Sequence, residues 1–141
     1  MKLFAALVLI LPLAVGCGPP DAKPEAVVGK WTGKIKLGPK DLEGMNADAV
    51  LMANSLAERM VMNLEVFEDG KYKITSETDI SEGVWEIKGD TIVLSDNNVG
   101  GAEAKMENKQ PFKIMSDGKR LVGSDSSGTS DATVTYSRVE G

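Results

Sequence analysis

Hydrophobic and polar positions alternate along most of the chain after residue 27. In residues 31–37, Trp31, Ile35 and Leu37 fall on odd positions, and lysines occupy positions 34 and 36. A period of two puts the apolar side chains on one face of a strand and the polar side chains on the other. The segment is therefore predicted to be a half-buried β-strand.

The same alternation returns in seven further runs, several of them joined by short turns. Asp69-Gly70, Gly89-Asp90 and Asp117-Gly118 separate pairs of runs. Such dipeptides are typical of hairpins whose two central residues both have positive φ. The predicted strands cover residues 62–66, 71–75, 82–88, 91–95, 112–115, 119–124 and 132–139. Residues 102–107 also alternate, and are predicted to form either a ninth strand or an extension of the sixth.

Residues 47–60 show a different pattern, rich in the good helix formers Ala, Leu, Met, Glu and Arg. Asn46 is the predicted N-cap of a helix. Helical spacing puts Ala49, Ala53, Leu56 and Met60 on one face, with Val50 and Ala57 alongside. The preceding loop begins at Lys40 and Asp41, so the helix is a candidate lid.

These elements predict a mainly β fold: an antiparallel up-and-down β-barrel or strongly curved sheet of about eight strands, with one helix between the first and second strands. A barrel of this size either fills itself with side chains or holds one small ligand. The candidates for lining a pocket are Trp31, Ile35, Val50, Ala53, Leu56, Met60, Leu64, Trp85, Ile87, Phe112 and Tyr136.

The first 16 residues have the pattern of an export signal. Lys2 is followed by an apolar stretch over 3–15, and Gly16 is the small residue expected before a cleavage point. The stretch is shorter than the ~20 residues that a membrane-spanning helix needs. Cys17 follows, the one cysteine of the chain, and 17–26 is predicted to be a Pro-rich tether to a domain over 27–141.

Leu13-Ala14-Val15-Gly16-Cys17 resembles the lipobox of bacterial lipoproteins, which ends in a small residue and cysteine. The resemblance implies cleavage before Cys17, a diacylglycerol on its thiol and an acyl chain on the new amino terminus. It places the protein in the cell envelope, anchored to a membrane outside the cytoplasm. Gly18, where an Asp would favour the inner membrane, implies the periplasmic face of the outer membrane if the source has two membranes.

Three motifs resemble the lipocalin-like domains of bacterial lipoproteins, a largely uncharacterised group. They are Gly29-Lys30-Trp31, the hairpin at 65–72 with Phe67 and Asp69-Gly70, and the hairpin at 82–94 with Gly83-Val84-Trp85. The resemblance implies a barrel whose first tryptophan packs across one end. The helix after the first strand differs from lipocalins proper and is similar to fatty-acid-binding proteins.

The amino-acid composition argues against several kinds of function. The net charge of −5 argues against nucleic acid as a partner. The chain has no histidine, and Cys17 is assigned to lipid, so neither a nucleophile with its base nor a metal site is predicted. We expect no enzyme activity and no cofactor. The methionines suit an irregular core or a soft pocket lining better than copper.

Two functions remain open from the sequence. In the first, the barrel binds a small apolar ligand beneath the helix, which requires a concave apolar interior. In the second, a filled barrel meets an envelope protein partner through its outer surface, which requires an exposed apolar patch.

Overall fold

The computed structural model describes residues 22–99, 102–124 and 129–141, with side chains described outside 97–99 and 102–108. Eight antiparallel strands form a closed barrel in which each pairs with the next and the last pairs with the first. The predicted fold class is confirmed. The strands are β1 (Gly29–Lys36), β2 (Val61–Val66), β3 (Lys71–Thr75), β4 (Ile80–Lys88), β5 (Thr91–Val99), β6 (Ala102–Ile114), β7 (Arg120–Ser124) and β8 (Thr133–Arg138).

One α-helix, α1 (Ala47–Arg59), lies between β1 and β2, as predicted. The side-chain oxygen of Asn46 accepts a hydrogen bond from the amide of Ala49 at 2.8 Å, which satisfies one of the free N–H groups of the first turn. Met60 has an extended conformation and ends the helix.

The barrel has two different ends. The lower end holds the start of β1, the end of β8 and the turns β2–β3, β4–β5 and β6–β7. The upper end holds α1 and the connections β3–β4, β5–β6 and β7–β8. Residues 22–141 include every described strand and the whole described core, and we call them the barrel unit.

The strand alternation sets the inside and the outside of the wall. In β1, Trp31 and Gly33 are buried, whereas Lys30 and Lys34 are exposed. Fully burying a large apolar side chain contributes about 1.5–3 kcal/mol. The core cluster comprises Val27, Trp31, Leu64, Val66, Tyr72, Ile92, Leu94, Phe112, Leu121 and Tyr136.

Aromatic rings cover glycines on neighbouring strands inside the wall. The ring of Tyr136 lies over Gly33, where a Cβ atom would come within 2.5 Å of the ring, and Phe112 covers Gly123 at the same distance. The two rings meet edge to face, with centroids 5.4 Å apart. Glycine is needed at these positions because its missing side chain makes room for the ring.

The hairpin turns differ from the sequence-based expectation. No residue other than glycine has positive φ among the described residues, so the prediction of two positive φ angles per turn is wrong. The β2–β3 turn spans four residues, and only Gly70 has positive φ. The carboxylate of Asp69 instead accepts a hydrogen bond from the amide of Lys71 at 3.0 Å.

Residues 102–107 belong to β6, which confirms the alternative of an extended sixth strand. The tether prediction is wrong for its last residues. Pro24–Ala26 forms a 3₁₀ turn, and the amide of Ala22 donates to the carbonyl of Gly89 at 2.8 Å. Proline at the start favours this turn because its φ is already suitable. Residues 1–21, with the signal and Cys17, lie outside the described residues.

Candidate functional site

The lower end is closed by Trp31 and Arg138. Trp31 is 1% exposed, and its indole N–H donates to the carbonyl of Val27 at 2.9 Å. The guanidinium carbon of Arg138 lies 4.4 Å from the centroid of the indole ring, a cation–π contact. Arg138 also donates to the carbonyls of Val28 and Ala26. The plug expected for the first tryptophan is present at this end.

Trp85 also lies towards the lower end of the barrel, on β4. Its indole N–H donates to the carbonyl of Phe67 in the β2–β3 turn at 2.9 Å. The side chain packs against the core cluster, as Ile87 does two residues later on the same face. Both tryptophans therefore belong to the floor of the barrel.

The inward-facing side chains of the upper half are less covered. Ile35, Met62, Ile74 and Val134 occupy inward positions and are half-buried. Leu64 and Leu121, at inward positions below them, are 0% exposed, whereas Trp85, Ile87 and Ile114 nearer the lower end are again half-buried. The middle layer of the interior is therefore closely packed. We call the part of the interior that is bordered by the four half-buried side chains above it the upper cup.

The cup also carries polar groups on β3, β4 and β5. Asp96 pairs with Gly83, and Leu94, two residues before it, is buried inside, so Asp96 faces inward. Its Oδ1 accepts a hydrogen bond from Ser81 Oγ at 3.1 Å. Burial raises the pKa of Asp96 because it disfavours the ionised form.

Two tyrosine hydroxyls lie in the same interior. Burial, and secondarily the charge of Asp96, raises the pKa of Tyr136 to about 12. Its hydroxyl donates to Sδ of Met62 at 4.0 Å. The hydroxyl of Tyr72 is buried and has no hydrogen-bond partner, the one such side-chain atom among the described residues. Native proteins satisfy nearly all buried polar atoms, so this hydroxyl calls for an explanation.

The helix packs against β1 with a face of small residues. Ala57 is 6% exposed, and Ala49, Val50, Ala53 and Asn54 are half-buried. On the helical wheel these positions are centred about 60° from the face of Ala49, Ala53, Leu56 and Met60 that was predicted from the sequence. The helix therefore approaches the wall closely and buries little apolar area.

The structure contradicts the prediction for Leu56 and Met60. They were predicted to line a pocket, but Leu56 is 57% exposed and Met60 is 51% exposed. The smaller side chains take the contact because they allow close approach to the wall. Leu56 and Met60 instead join Met45 and Met52, which are 45% and 68% exposed, in a continuous apolar stripe on the outer side of the helix.

A polar clasp ties the loop before the helix to the loop before β8. Ser130 Oγ donates to Asp41 Oδ1 at 2.5 Å, and the amide of Lys40 donates to Asp131 Oδ1 at 2.9 Å. The hydrogen bond from Ser130, followed by one from the amide of Gly38, lowers the pKa of Asp41. The clasp fixes one end of the connection that carries α1.

The outer side of the joint between helix and wall forms a cleft of about 370 Å³. Lys34 and Lys36 from β1 face Asn54 and Glu58 from the helix across it. This cleft lies outside the barrel wall, since both lysines occupy outward positions.

Seven of the eleven predicted pocket residues occupy inward positions on the strands. Of these, Ile35 lies in the upper cup, whereas the other six belong to the floor and middle layer: Trp31, Leu64, Trp85, Ile87, Phe112 and Tyr136. Val50 and Ala53 lie on the half-buried face of α1. The polar members Ser81, Tyr72 and Asp96 were not predicted. Asp96 could have been found by continuing the alternation from Ile92 and Leu94, which brings a carboxylate to an inward position.

Within the described residues, no three acidic, cysteine or histidine side chains converge as a metal site would require. In the same residues no helix is both long enough and apolar enough to cross a bilayer.

The fold and its interior define a class: closed eight-stranded antiparallel barrels with a helix between the first two strands. No protein-family model matches the chain, and no curated protein matches it. Among solved structures, the chain is similar to fatty-acid-binding protein 1 of Echinococcus granulosus. That comparison has a TM-score of 0.44 and 16% sequence identity, and covers 82% of this chain and 99% of the other.

Proposed function

We propose that this protein is a membrane-anchored lipoprotein whose barrel binds a small apolar ligand in the upper cup beneath α1. The observation that carries the proposal is the contrast between the fully buried middle layer of the barrel and the half-buried apolar side chains above it. Ile35, Met62 and Val134 are inward-facing and not fully covered by protein. Binding pockets are concave, mostly apolar and supplied with a few polar groups.

The test is a titration of the barrel unit with a neutral, environment-sensitive naphthylamine probe. We expect saturable one-to-one binding that unlabelled dodecanol displaces. Val134→Asp puts a charge into the cup, and should weaken binding at least about tenfold because a charge is costly to bury. Thr135→Asp adds the same charge at the next position, which faces outward, and should leave binding unchanged. Equal effects of the two variants, or no binding by a folded barrel unit, would overturn the proposal.

The anchoring part of the proposal rests on the lipobox at Cys17. Ala22, which lies at the lower end beside Gly89, comes five positions after Cys17. Five residues span at most about 17 Å, so an anchored barrel would hold its lower end near the bilayer and its helix away from it. Metabolic labelling with an alkynyl fatty acid should mark the full chain, and Cys17→Ser should abolish the label and release the protein from membranes. Labelling that survives this substitution would refute the anchor.

A second function is favoured by the apolar stripe of Met45, Met52, Leu56 and Met60. Solvent-exposed apolar side chains in a continuous patch are typical of interaction surfaces. In this alternative an envelope protein partner covers the outer side of α1. A photo-crosslinking residue at position 56 in cells should give one discrete adduct, and the same residue at Glu58 should give none. Equal patterns at the two positions would exclude it.

A further inference from the structure

The inner surface of β3, β4 and β5 carries a polar row that the apolar cup does not explain. Tyr72 pairs with Gly83 on β4, and Gly83 pairs with Asp96 on β5. Glycine has no side chain, and a Cβ there would lie 2.9 Å from the ring of Tyr72. The tyrosine ring therefore reaches across β4 towards the strand of Asp96.

The two polar groups at the ends of this row have unused hydrogen-bonding capacity. Tyr72 is 1% exposed, and its hydroxyl makes no hydrogen bond in the described structure. Among the described residues, Ser81 donates the one hydrogen bond that Asp96 accepts. A carboxylate offers about four acceptor positions, so further donors can be accommodated. A buried hydroxyl is costly unless a hydrogen-bonding partner reaches it.

The charge of this part of the interior is negative. Among the described side chains, Arg138 is the one lysine or arginine at an inward strand position, and it is engaged at the floor by Trp31 and two backbone carbonyls. The lysines of β1, at positions 30, 34 and 36, are exposed. A carboxylate ligand would therefore meet Asp96 without a compensating cation from the described side chains, and like charges repel more strongly where burial excludes part of the water.

We propose that Tyr72, Ser81 and Asp96 form a headgroup subsite for amphiphiles with a hydrogen-bond-donating, non-anionic headgroup, with a primary alkylamine preferred. The ammonium or hydroxyl group donates to Asp96, and its apolar chain lies against Ile35, Met62 and Val134. The headgroup also gives the hydroxyl of Tyr72 a hydrogen-bond partner. This proposal rests on the proposed ligand-binding function and specifies the chemical class of the ligand.

Three twelve-carbon probes test the proposal: dodecylamine, dodecanol and dodecanoate. Each displaces the neutral naphthylamine probe from the barrel unit at pH 7. We expect dodecylamine to bind about tenfold or more tighter than dodecanoate, because it reverses the sign of its interaction with Asp96. Asp96→Asn should remove most of that preference and leave dodecanol little changed. Glu82→Gln removes the same charge from the outer face of the adjacent strand, and should leave the ranking as in the original chain.

The outcomes separate the subsite from the proposed function. Equal binding of the three probes, or tightest binding of dodecanoate, overturns the subsite and leaves ligand binding intact. A preference that persists in Asp96→Asn assigns the selectivity elsewhere and also overturns it. Failure of all three probes to displace, together with failure of the naphthylamine to bind the folded barrel unit, overturns both.

Discussion

At the scale of single residues, Arg138 joins three parts of the chain at the floor. Its guanidinium stacks on Trp31 and donates to the carbonyls of Ala26 and Val28. Hydrogen bonds from a charged donor contribute about 1.5–3 kcal/mol each, and a desolvated cation–π contact contributes about 2 kcal/mol, although such terms do not simply add. One side chain thus holds both the plug and the segment before β1.

Arg138→Ala is expected to lower the free energy of unfolding by about 3 kcal/mol, because two carbonyls and an indole face lose their partner. Arg138→Lys should lower the free energy of unfolding by less than Arg138→Ala does, because lysine keeps the positive charge but lacks the planar guanidinium group. Urea unfolding followed by tryptophan fluorescence measures both. Arg120→Ala is the matched control, because that side chain pairs with Asp117 in an exposed turn. A loss at position 138 no larger than at position 120 would contradict the assignment.

Tyr136 predicts a particular alkaline behaviour. Its pKa is raised to about 12 from an ordinary value of 10.0. A group with a raised folded-state pKa favours folding below its unfolded-state pKa, and that contribution is lost as the pH rises through the folded-state value. The free energy of unfolding should therefore fall by about 2–3 kcal/mol from this group between pH 10 and pH 12. Tyr136→Phe should show a smaller fall over the same range, and equal falls would contradict the prediction.

Among the structural elements, α1 is held against the barrel by close packing of small side chains and buries little apolar area. Ala57 is its most covered residue, against β1, and the large apolar side chains point outward. Ala57→Leu adds bulk where the helix touches the wall, and should destabilise the protein by about 1–3 kcal/mol. Leu56→Ser changes an exposed residue, and should change the free energy of unfolding by less than about 0.5 kcal/mol. Chemical denaturation compares the two, and a larger loss at position 56 would show that the helix packs the other way.

The helix also shows where sequence reasoning ends. Its existence, its start at Asn46 and its place after β1 followed from local propensity and capping, which act within a few residues. Its orientation did not follow, because the wheel offers two adjacent apolar faces. The small face of Ala49, Ala53 and Ala57 was chosen by the approach of β1, a contact that lies outside the helix sequence.

Strand alternation carried more information than helical periodicity. In a strand, every second side chain lies on the same face. Once Trp31 or Leu64 is known to face inward, the orientation of the neighbouring side chains on its strand is therefore fixed. The turns were harder to predict, since Asp-Gly fits both a two-residue and a four-residue connection. The polar row was missed because Tyr72, Ser81 and Asp96 come together through strand pairing, which no local pattern reports.

At the scale of the whole molecule, closure of the barrel creates the asymmetry on which the functional account depends. Pairing of β8 with β1 removes the free edges of the sheet, and the residues before β1 fold against the lower end. The upper end is left to α1 and the clasp of Asp41 with Ser130. The floor is therefore a fixed structure, and exchange with solvent is expected at the helical end.

Methyl-resolved NMR of the barrel unit, titrated with dodecanol, shows whether the apolar ligand enters the upper cup. We expect saturable shifts at the methyl groups of Ile35, Met62, Ile74 and Val134. We expect no comparable shift at Ile80 and Val84, which are 48% and 43% exposed on the outer face. Shifts confined to Met52 and Leu56 on the outer side of the helix, or no saturable shift at all, would contradict this expectation.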